Sequence, residues 1–143
     1  MKVFAFLLLS TLSILSVQGK IYSKCELART LSQNGIPRSE LPDWVCLVQA
    51  ESNYNTKATN TNTNKTKDWG IFQINDKWWC KPSDGRFSYN ECNLNCDRDL
   101  LSDDITKATT CAKKIKGRQG FKAWYGWQNK CQGKKLPSVN ECF

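Results

Sequence analysis

Eight cysteines constrain this chain more than any other feature. They stand at positions 25, 46, 80, 92, 96, 111, 131 and 142 of 143 residues. Their meaning depends on compartment, and the first residues supply it. Met1-Lys2 is a short basic start, and residues 3–17 are mostly apolar, broken by Ser10, Thr11, Ser13 and Ser16. Val17-Gln18-Gly19 then offers a cleavage site before Lys20. That is the pattern of a secretory signal peptide, 1–19, and the stretch is short for a membrane anchor. No other segment is long and apolar enough to span a bilayer. The expected localisation is therefore secreted and extracellular, where an even cysteine count reads as four disulfides. Zinc is the rival reading for the Cys92-x3-Cys96 spacing. It is rejected because the chain has no histidine and the compartment is oxidising. Eight cysteines allow about a hundred pairings, and spacing alone does not choose among them. Joining Cys25 to Cys142 would tie the two ends together.

The mature chain, 20–143, suits one domain with a modest core. It carries twenty basic against thirteen acidic side chains, a net charge of +7. Such a protein is drawn to polyanions, among them cell walls, acidic lipid and nucleic acid. No run of Lys and Arg exceeds two and no nucleic-acid motif occurs, so nucleic acid is not an expected partner. The missing histidines exclude Ser-His-Asp and Cys-His devices, and acid-base chemistry falls to Asp or Glu.

Periodicity predicts a helix over Cys25–Asn34, with Leu27, Ala28 and Leu31 on one face and Asn34-Gly35 as its stop. A second helix is expected with Ser39 as cap and Pro42 in its first turn. Its stripe runs Trp44, Leu47, Val48, Glu51, at i, i+3, i+4 and i+7, so a carboxyl takes a position where a core side chain belongs. From Thr56 the sequence turns polar and alternates, with Asn60, Asn62 and Asn64 on one side. This predicts a hairpin turning near Asn64-Lys65 and returning through Asp68. Gly70–Asn75 reads as a third short strand or a buried turn, and Cys80–Cys96 as loop. Ser102-Asp103-Asp104 is expected to cap a third helix carrying Ile105, Ala108, Ala112 and Ile115 inward. Gly117 and Gly120 break the chain, and Phe121–Lys130 forms a fourth helix. The expected class is α+β, a two-lobed domain, mainly helical with a small antiparallel sheet.

Glu51 and Asp68 have contrasting settings. Burial at the end of an apolar stripe raises the Glu51 pKa, whereas hydrogen bonds and nearby Lys, Asn and Thr favour ionised Asp68. A pair split in this way supplies an acid and a base or nucleophile, as glycoside hydrolysis requires. A Glu at a helix end more often faces water, and an Asp in a hairpin more often serves its turn. The Trp78-Trp79 pair adds some weight to a glycan cleft, since flat indoles suit sugar faces, while ordinary core packing is expected for at least one of the two. Trp124 and Trp127 read as core.

The segments "KCELA", "WVCLVQAESNYNTKATN", "DWGIFQIN", "WWC", "CNLNC", "DDIT", "CAKKI" and "AW", in order and with all eight cysteines, resemble the chicken-type (c-type) lysozymes, in an insect-like form. Carboxylate tuning of this kind is known of that family. The resemblance covers essentially all of 20–143. It implies Glu51 as general acid and base, and Asp68 as nucleophile or electrostatic stabiliser. The reaction implied is retaining hydrolysis of the β-1,4 bond between N-acetylmuramic acid and N-acetylglucosamine in bacterial peptidoglycan. It gives Trp124 a second role, packing on the acid. It implies substrate-binding positions at Asn62, Gln73, Asn75, Trp78, Trp79, Ala123 and Trp124. It also implies the pairing Cys25–Cys142, Cys46–Cys131, Cys80–Cys96 and Cys92–Cys111.

There are departures. "KGRQG" replaces a loop that in the hen type carries an aspartate toward distal sugars, and the Cys111–Trp124 interval is one residue shorter. Lys107 and Ala108 stand where the calcium-binding branch needs carboxylates, so neither metal nor other cofactor is expected. The retained acid pair argues against an α-lactalbumin-like modifier. A cationic, membrane-active protein that kills without cleaving is the competing class, though stable membrane insertion is not expected. Positive charge favours antibacterial defence over digestion, a monomer is expected, and Asn64-Lys65-Thr66 is an N-glycosylation sequon.

Overall fold

The computed structural model describes residues 1–11 and 19–143. The end of the expected signal peptide, 12–18, lies outside the described residues. Among the described residues no helix is long and apolar enough to cross a membrane.

Helix α1 spans Lys24–Gln33 and buries Leu27, Ala28 and Leu31. Its cap is Ser23, whose hydroxyl accepts from the Glu26 N–H at 3.2 Å. Helix α2 spans Leu41–Ser52 and buries Trp44, Leu47 and Val48, the expected stripe. Ser39 does not cap it. The residue lies inside a 3₁₀ turn, Arg38–Glu40, that runs directly into α2, so Glu40 takes the cap position without a side-chain bond. Left-handed Asn53, at φ 49°, ends α2.

The sheet has three antiparallel strands in the order β1 (Thr59–Thr61), β2 (Lys67–Trp69) and β3 (Ile74–Asn75). The hairpin turns where expected, with Lys65 in the left-handed region at φ 68°. Asp68 sits in the central strand, opposite Asn60 on one side and Asn75 on the other. Between β2 and β3 the chain doubles back at Gly70, at φ +75°, where a Cβ would meet the Leu100 carbonyl at 1.9 Å. Only glycine allows that approach.

Helix α3, Cys96–Leu100, is a five-residue helix capped by Asn95. It is too short to show a period, and it begins at Cys96, where the expected loop ends. Helix α4, Thr106–Gln119, buries Ala108, Ala112 and Ile115, with Ile105 buried just before it. Asp104 accepts from the Thr106 N–H at 3.0 Å, whereas Asp103 is drawn off to Thr56 at 2.8 Å. Gly117 does not break this helix, which runs on to Gln119 and stops at Gly120. Nor is Phe121–Lys130 one helix. A 3₁₀ turn, Phe121–Ala123, leads to extended Trp124, and α5 begins at Tyr125 and ends at Lys130. The reason lies in the core. Trp124 is held by its indole N–H donating to the Phe72 carbonyl at 2.8 Å and by edge-on packing against Trp44 at 5.6 Å.

Trp44 is the hub of that core, with Phe72, Phe121 and Trp124 all meeting it edge-on at 5.1–5.7 Å. Four disulfides close the domain: Cys25–Cys142, Cys46–Cys131, Cys80–Cys96 and Cys92–Cys111. The first closes a loop of 117 residues and the second one of 85. Loops of that size remove much disorder from the unfolded chain.

Candidate active site

Glu51 lies in the last turn of α2, half-buried, and Asp68 in the middle of the sheet. Both line one cleft of about 260 Å³ between the helical lobe and the sheet. The helix-then-hairpin order places one acid on each wall. Asn62, Gln73, Asn75, Trp79, Ala123 and Trp124 line the same cleft.

Glu51 accepts one hydrogen bond, from the Gly126 N–H at 2.9 Å. Burial pushes its pKa up; that bond opposes the rise, and the charge of Asp68 adds to it. A carboxyl so placed keeps its proton to higher pH than a solvated one.

Asp68 is held differently. Asn75 donates to Oδ1 at 2.9 Å and Asn62 donates to Oδ2 at 3.1 Å. The same two amides also reach the Thr66 hydroxyl, at 2.9 and 3.2 Å. That hydroxyl in turn donates to Asn64 Oδ1 at 2.7 Å. Thr66 is therefore the hub that aims both amides, and sequence reasoning passed over it. The available signal was a cluster of polar side chains, Asn62, Asn64 and Thr66, in the tight turn that leads into the strand carrying Asp68. The expected direction for Asp68 is corrected. Its pKa is raised, because burial outweighs the two amides, with the charge of Asp76 adding to the rise. Both acids thus move upward. They differ in that two donors support ionised Asp68 and one supports ionised Glu51.

Gln73 lines the cleft, but its side chain is spent on scaffolding. Its amide donates to the Gly70 and Ala58 carbonyls at 2.9 and 3.0 Å, and its oxygen accepts from Asn60 at 2.8 Å. These bonds hold the turn before β3, with Gln73 itself at φ 50°. Trp79 is buried in the cleft wall, whereas Trp78 stands outside it, 47% exposed. Trp78 stacks on Tyr89 at 4.8 Å, and Phe87 packs edge-on to Tyr89. Tyr125, exposed at the start of α5, also lines the cleft, as do Ile115 and Gln119 near the end of α4. No motif marked these three.

Lys107 reaches to 3.4 Å from Asp99, whose carboxylate also takes two bonds from Arg98. The Arg98 guanidinium holds Asp99 far below the ordinary carboxylate range. Among the described residues the one grouping of three possible metal ligands is Cys25, Cys142 and Glu141, and both its sulfurs are bound in a disulfide.

The fold and cleft together define a class: a two-lobed α+β domain closed by four disulfides, with a carboxyl on each wall of a polar cleft. Residues 20–142 match the C-type lysozyme/alpha-lactalbumin family, and the chain belongs to it. It is similar to "Lysozyme c-1" of Anopheles gambiae, 53% identical over 144 residues that span all of both chains. It is 49% identical to "Lysozyme 1" of Musca domestica, again over the whole of both. It is 47% identical to the bovine "Lysozyme C, tracheal isozyme", covering 96% of this chain and 95% of that protein. The chain thus stands with the lysozymes of the family, glycoside hydrolases.

Proposed function

We propose that this protein hydrolyses the β-1,4 bond between N-acetylmuramic acid and N-acetylglucosamine in bacterial peptidoglycan, with Glu51 and Asp68 as its catalytic pair. One observation carries the reading: two carboxyls share a cleft, one whose proton-bearing form is favoured by burial and the other gripped by two amides. The charge of Asp68 raises Glu51, which supports an order of ionisation in which Asp68 loses its proton first.

In the proposed mechanism the Glu51 proton passes to the glycosidic oxygen as the C1–O bond breaks. The Asp68 carboxylate meets the positive charge at C1 and bonds to it, opposite the leaving group. Glu51, now a carboxylate, takes a proton from water, whose oxygen displaces Asp68 from C1. Two inversions leave the configuration unchanged. Asn62 and Asn75 hold the Asp68 oxygens through both steps, and Trp124 keeps water from the acid's apolar side. Asn75 and Ala123 offer backbone groups to an N-acetyl arm, and Trp79 and Trp78 offer indole faces to further sugars. No cofactor enters these steps.

The disulfides, the signal-peptide pattern and the net charge of +7 support a protein secreted after cleavage before Lys20, acting as a monomer in antibacterial defence. The test is lysis of bacterial walls by Glu51→Gln and Asp68→Asn. Each should lose at least about a hundredfold in turnover while keeping the wild-type circular dichroism. Near-normal lysis by either variant would overturn its role. Bacterial killing that survives without any lysis would favour a membrane-active protein instead.

A further inference from the structure

Arg118 lies near the end of α4, seven residues and therefore about two helical turns beyond Cys111. Cys111 is bonded to Cys92, and Cys92 adjoins Glu91. The loop and the helix are thus joined covalently at one level, and Arg118 and Glu91 meet beside it. Arg118 Nη1 donates to Glu91 Oε2 at 3.2 Å. The same guanidinium stands 5.6 Å over the ring of Trp79. Trp79 lines the cleft, as does Gln119, the next residue along α4. Arg118 therefore stands over the cleft wall, in the "KGRQG" segment.

The guanidinium is not needed to hold the loop to the helix. The Cys92–Cys111 disulfide and the Lys114 bond to the Glu91 carbonyl at 2.5 Å already do so. Both members of the Arg118–Glu91 pair are more than two-fifths exposed, and pairs of that kind contribute little to stability. An Arg has five N–H donors in a planar fork. Glu91 takes one of them, and among the described residues no other protein acceptor is recorded for Arg118. Cation–π attraction to Trp79 holds the guanidinium beside the cleft wall. A charged and mostly unspent fork in that place is suited to a carboxylate.

We infer that Arg118 binds a carboxylate of the glycan at the end of the cleft, selecting acidic strands, whose muramic acid residues carry lactyl groups, over neutral chito-oligosaccharides. This rests on the catalytic reading of the cleft and adds a specificity-determining residue to it. The incoming carboxylate takes the free N–H groups or replaces Glu91. Trp79 meanwhile serves neutral and acidic sugars alike.

The experiment compares two glycans of equal sugar count. One is an uncross-linked strand of alternating N-acetylglucosamine and N-acetylmuramic acid, and the other is neutral chito-oligosaccharide. Values of kcat and KM are measured for wild type, Arg118→Gln, Arg118→Lys and Glu91→Gln. Lys24→Gln serves as control, removing the same charge beside Glu141, on a helix that lines no part of the cleft. Arg118→Gln should raise KM on the acidic strand about five- to tenfold, leave kcat near wild type and leave the neutral glycan unchanged. Arg118→Lys should recover part of the loss, and Glu91→Gln should bind the acidic strand at least as well as wild type. Reducing the lactyl carboxylates to alcohols should cost wild type the same factor and cost Arg118→Gln nothing. Equal losses on both glycans, no loss on either, or the same selective loss in Lys24→Gln would overturn the inference. Calorimetric binding of both glycans to Glu51→Gln, with and without Arg118→Gln, separates this from the catalytic reading. A Glu51→Gln protein that still cleaves sinks the catalytic assignment, while the binding contrast continues to report on Arg118.

Discussion

The backbone N–H of Gly126 donates to the carboxyl of Glu51 at 2.9 Å, joining the start of α5 to the end of α2 across 75 residues of sequence. No side chain is compatible with that contact as it stands. A Cβ on Gly126 would lie 2.8 Å from Glu51 Oε1 and 3.2 Å from the Ala50 Cβ. Gly126→Ala should favour the helix slightly, since Ala is the better helix former, yet it must push the acid aside. We expect kcat to fall about ten- to a hundredfold, the cost of small misplacements in a reacting pair. Thermal unfolding should be little changed. Steady-state turnover beside a melting curve checks this, and unaltered kcat would mean that the acid's position is set elsewhere.

The same burial that raises the Glu51 pKa should destabilise the fold at neutral pH. A carboxyl whose folded pKa is raised costs nothing in acid, where both states are protonated. As pH climbs past the unfolded value, about 4.3 for Glu, the unfolded state ionises first and is stabilised relative to the folded one. The penalty is complete above the folded pKa. Glu51→Gln escapes it and keeps an oxygen for Gly126. We therefore expect Glu51→Gln to melt at a higher temperature than wild type at pH 7, with the two curves converging below about pH 4. A variant that is less stable at pH 7 would contradict the direction assigned to Glu51.

Thr66 governs Asp68 at one remove. Its hydroxyl accepts from both amides that hold the carboxylate. Thr66→Val keeps the shape and removes that acceptor, leaving Asn62 and Asn75 free to turn away. Ionised Asp68 then loses support, and its pKa rises further. The acid limb of the pH–rate profile should shift to higher pH, with activity down about tenfold at the optimum. Thr66→Ser should restore both. Protein made without glycosylation is required, because Thr66 also completes the Asn64 sequon. An unmoved acid limb would show that the amides hold Asp68 without Thr66.

What could be read in the sequence, and what could not, divides along physical lines. The stripe of Trp44, Leu47, Val48 and Glu51 was legible because about two turns of a buried helix are enough to show a period. The hairpin was legible because Asn-rich alternation and a turn at Asn64-Lys65 are local signals. Trp124 was not. Its neighbours suggest a helix, but its indole is claimed by Phe72 and Trp44, residues 52 and 80 positions away, and the backbone there is drawn out to suit. The direction of the Asp68 pKa was misread for a similar reason. The donors lie close in sequence, whereas the burial that outweighs them comes from the whole cleft. Gly117 offers the mirror case, a helix-breaking residue overruled by the packed face of α4.

Asp76 links the long loop to this chemistry. Its buried carboxylate takes a bidentate grip from Arg86, at 2.7 and 3.3 Å, and the indole N–H of Trp69 at 3.1 Å. Arg86 also reaches the Lys65 carbonyl at 3.1 Å, pinning the loop to the hairpin tip. The charge of Asp76 is one of the influences that raise Asp68. Arg86, paired with Asp76 at 2.7 Å, offsets that charge. Arg86→Gln should then do two things. It should cost about 1–3 kcal/mol of stability, a figure reduced for a guanidinium that is one-third exposed, because a buried carboxylate loses its partner. It should also expose Asp68 to the uncompensated charge, shifting the acid limb of the pH–rate profile upward. Adding Asp76→Asn to Arg86→Gln removes that charge and should return the acid limb to its wild-type position, although the lost ion pair is not restored. Denaturant unfolding and pH–rate profiles of both variants separate the two effects. An acid limb that stays shifted in the double variant would mean that Arg86 acts on Asp68 through the shape of the hairpin rather than through charge.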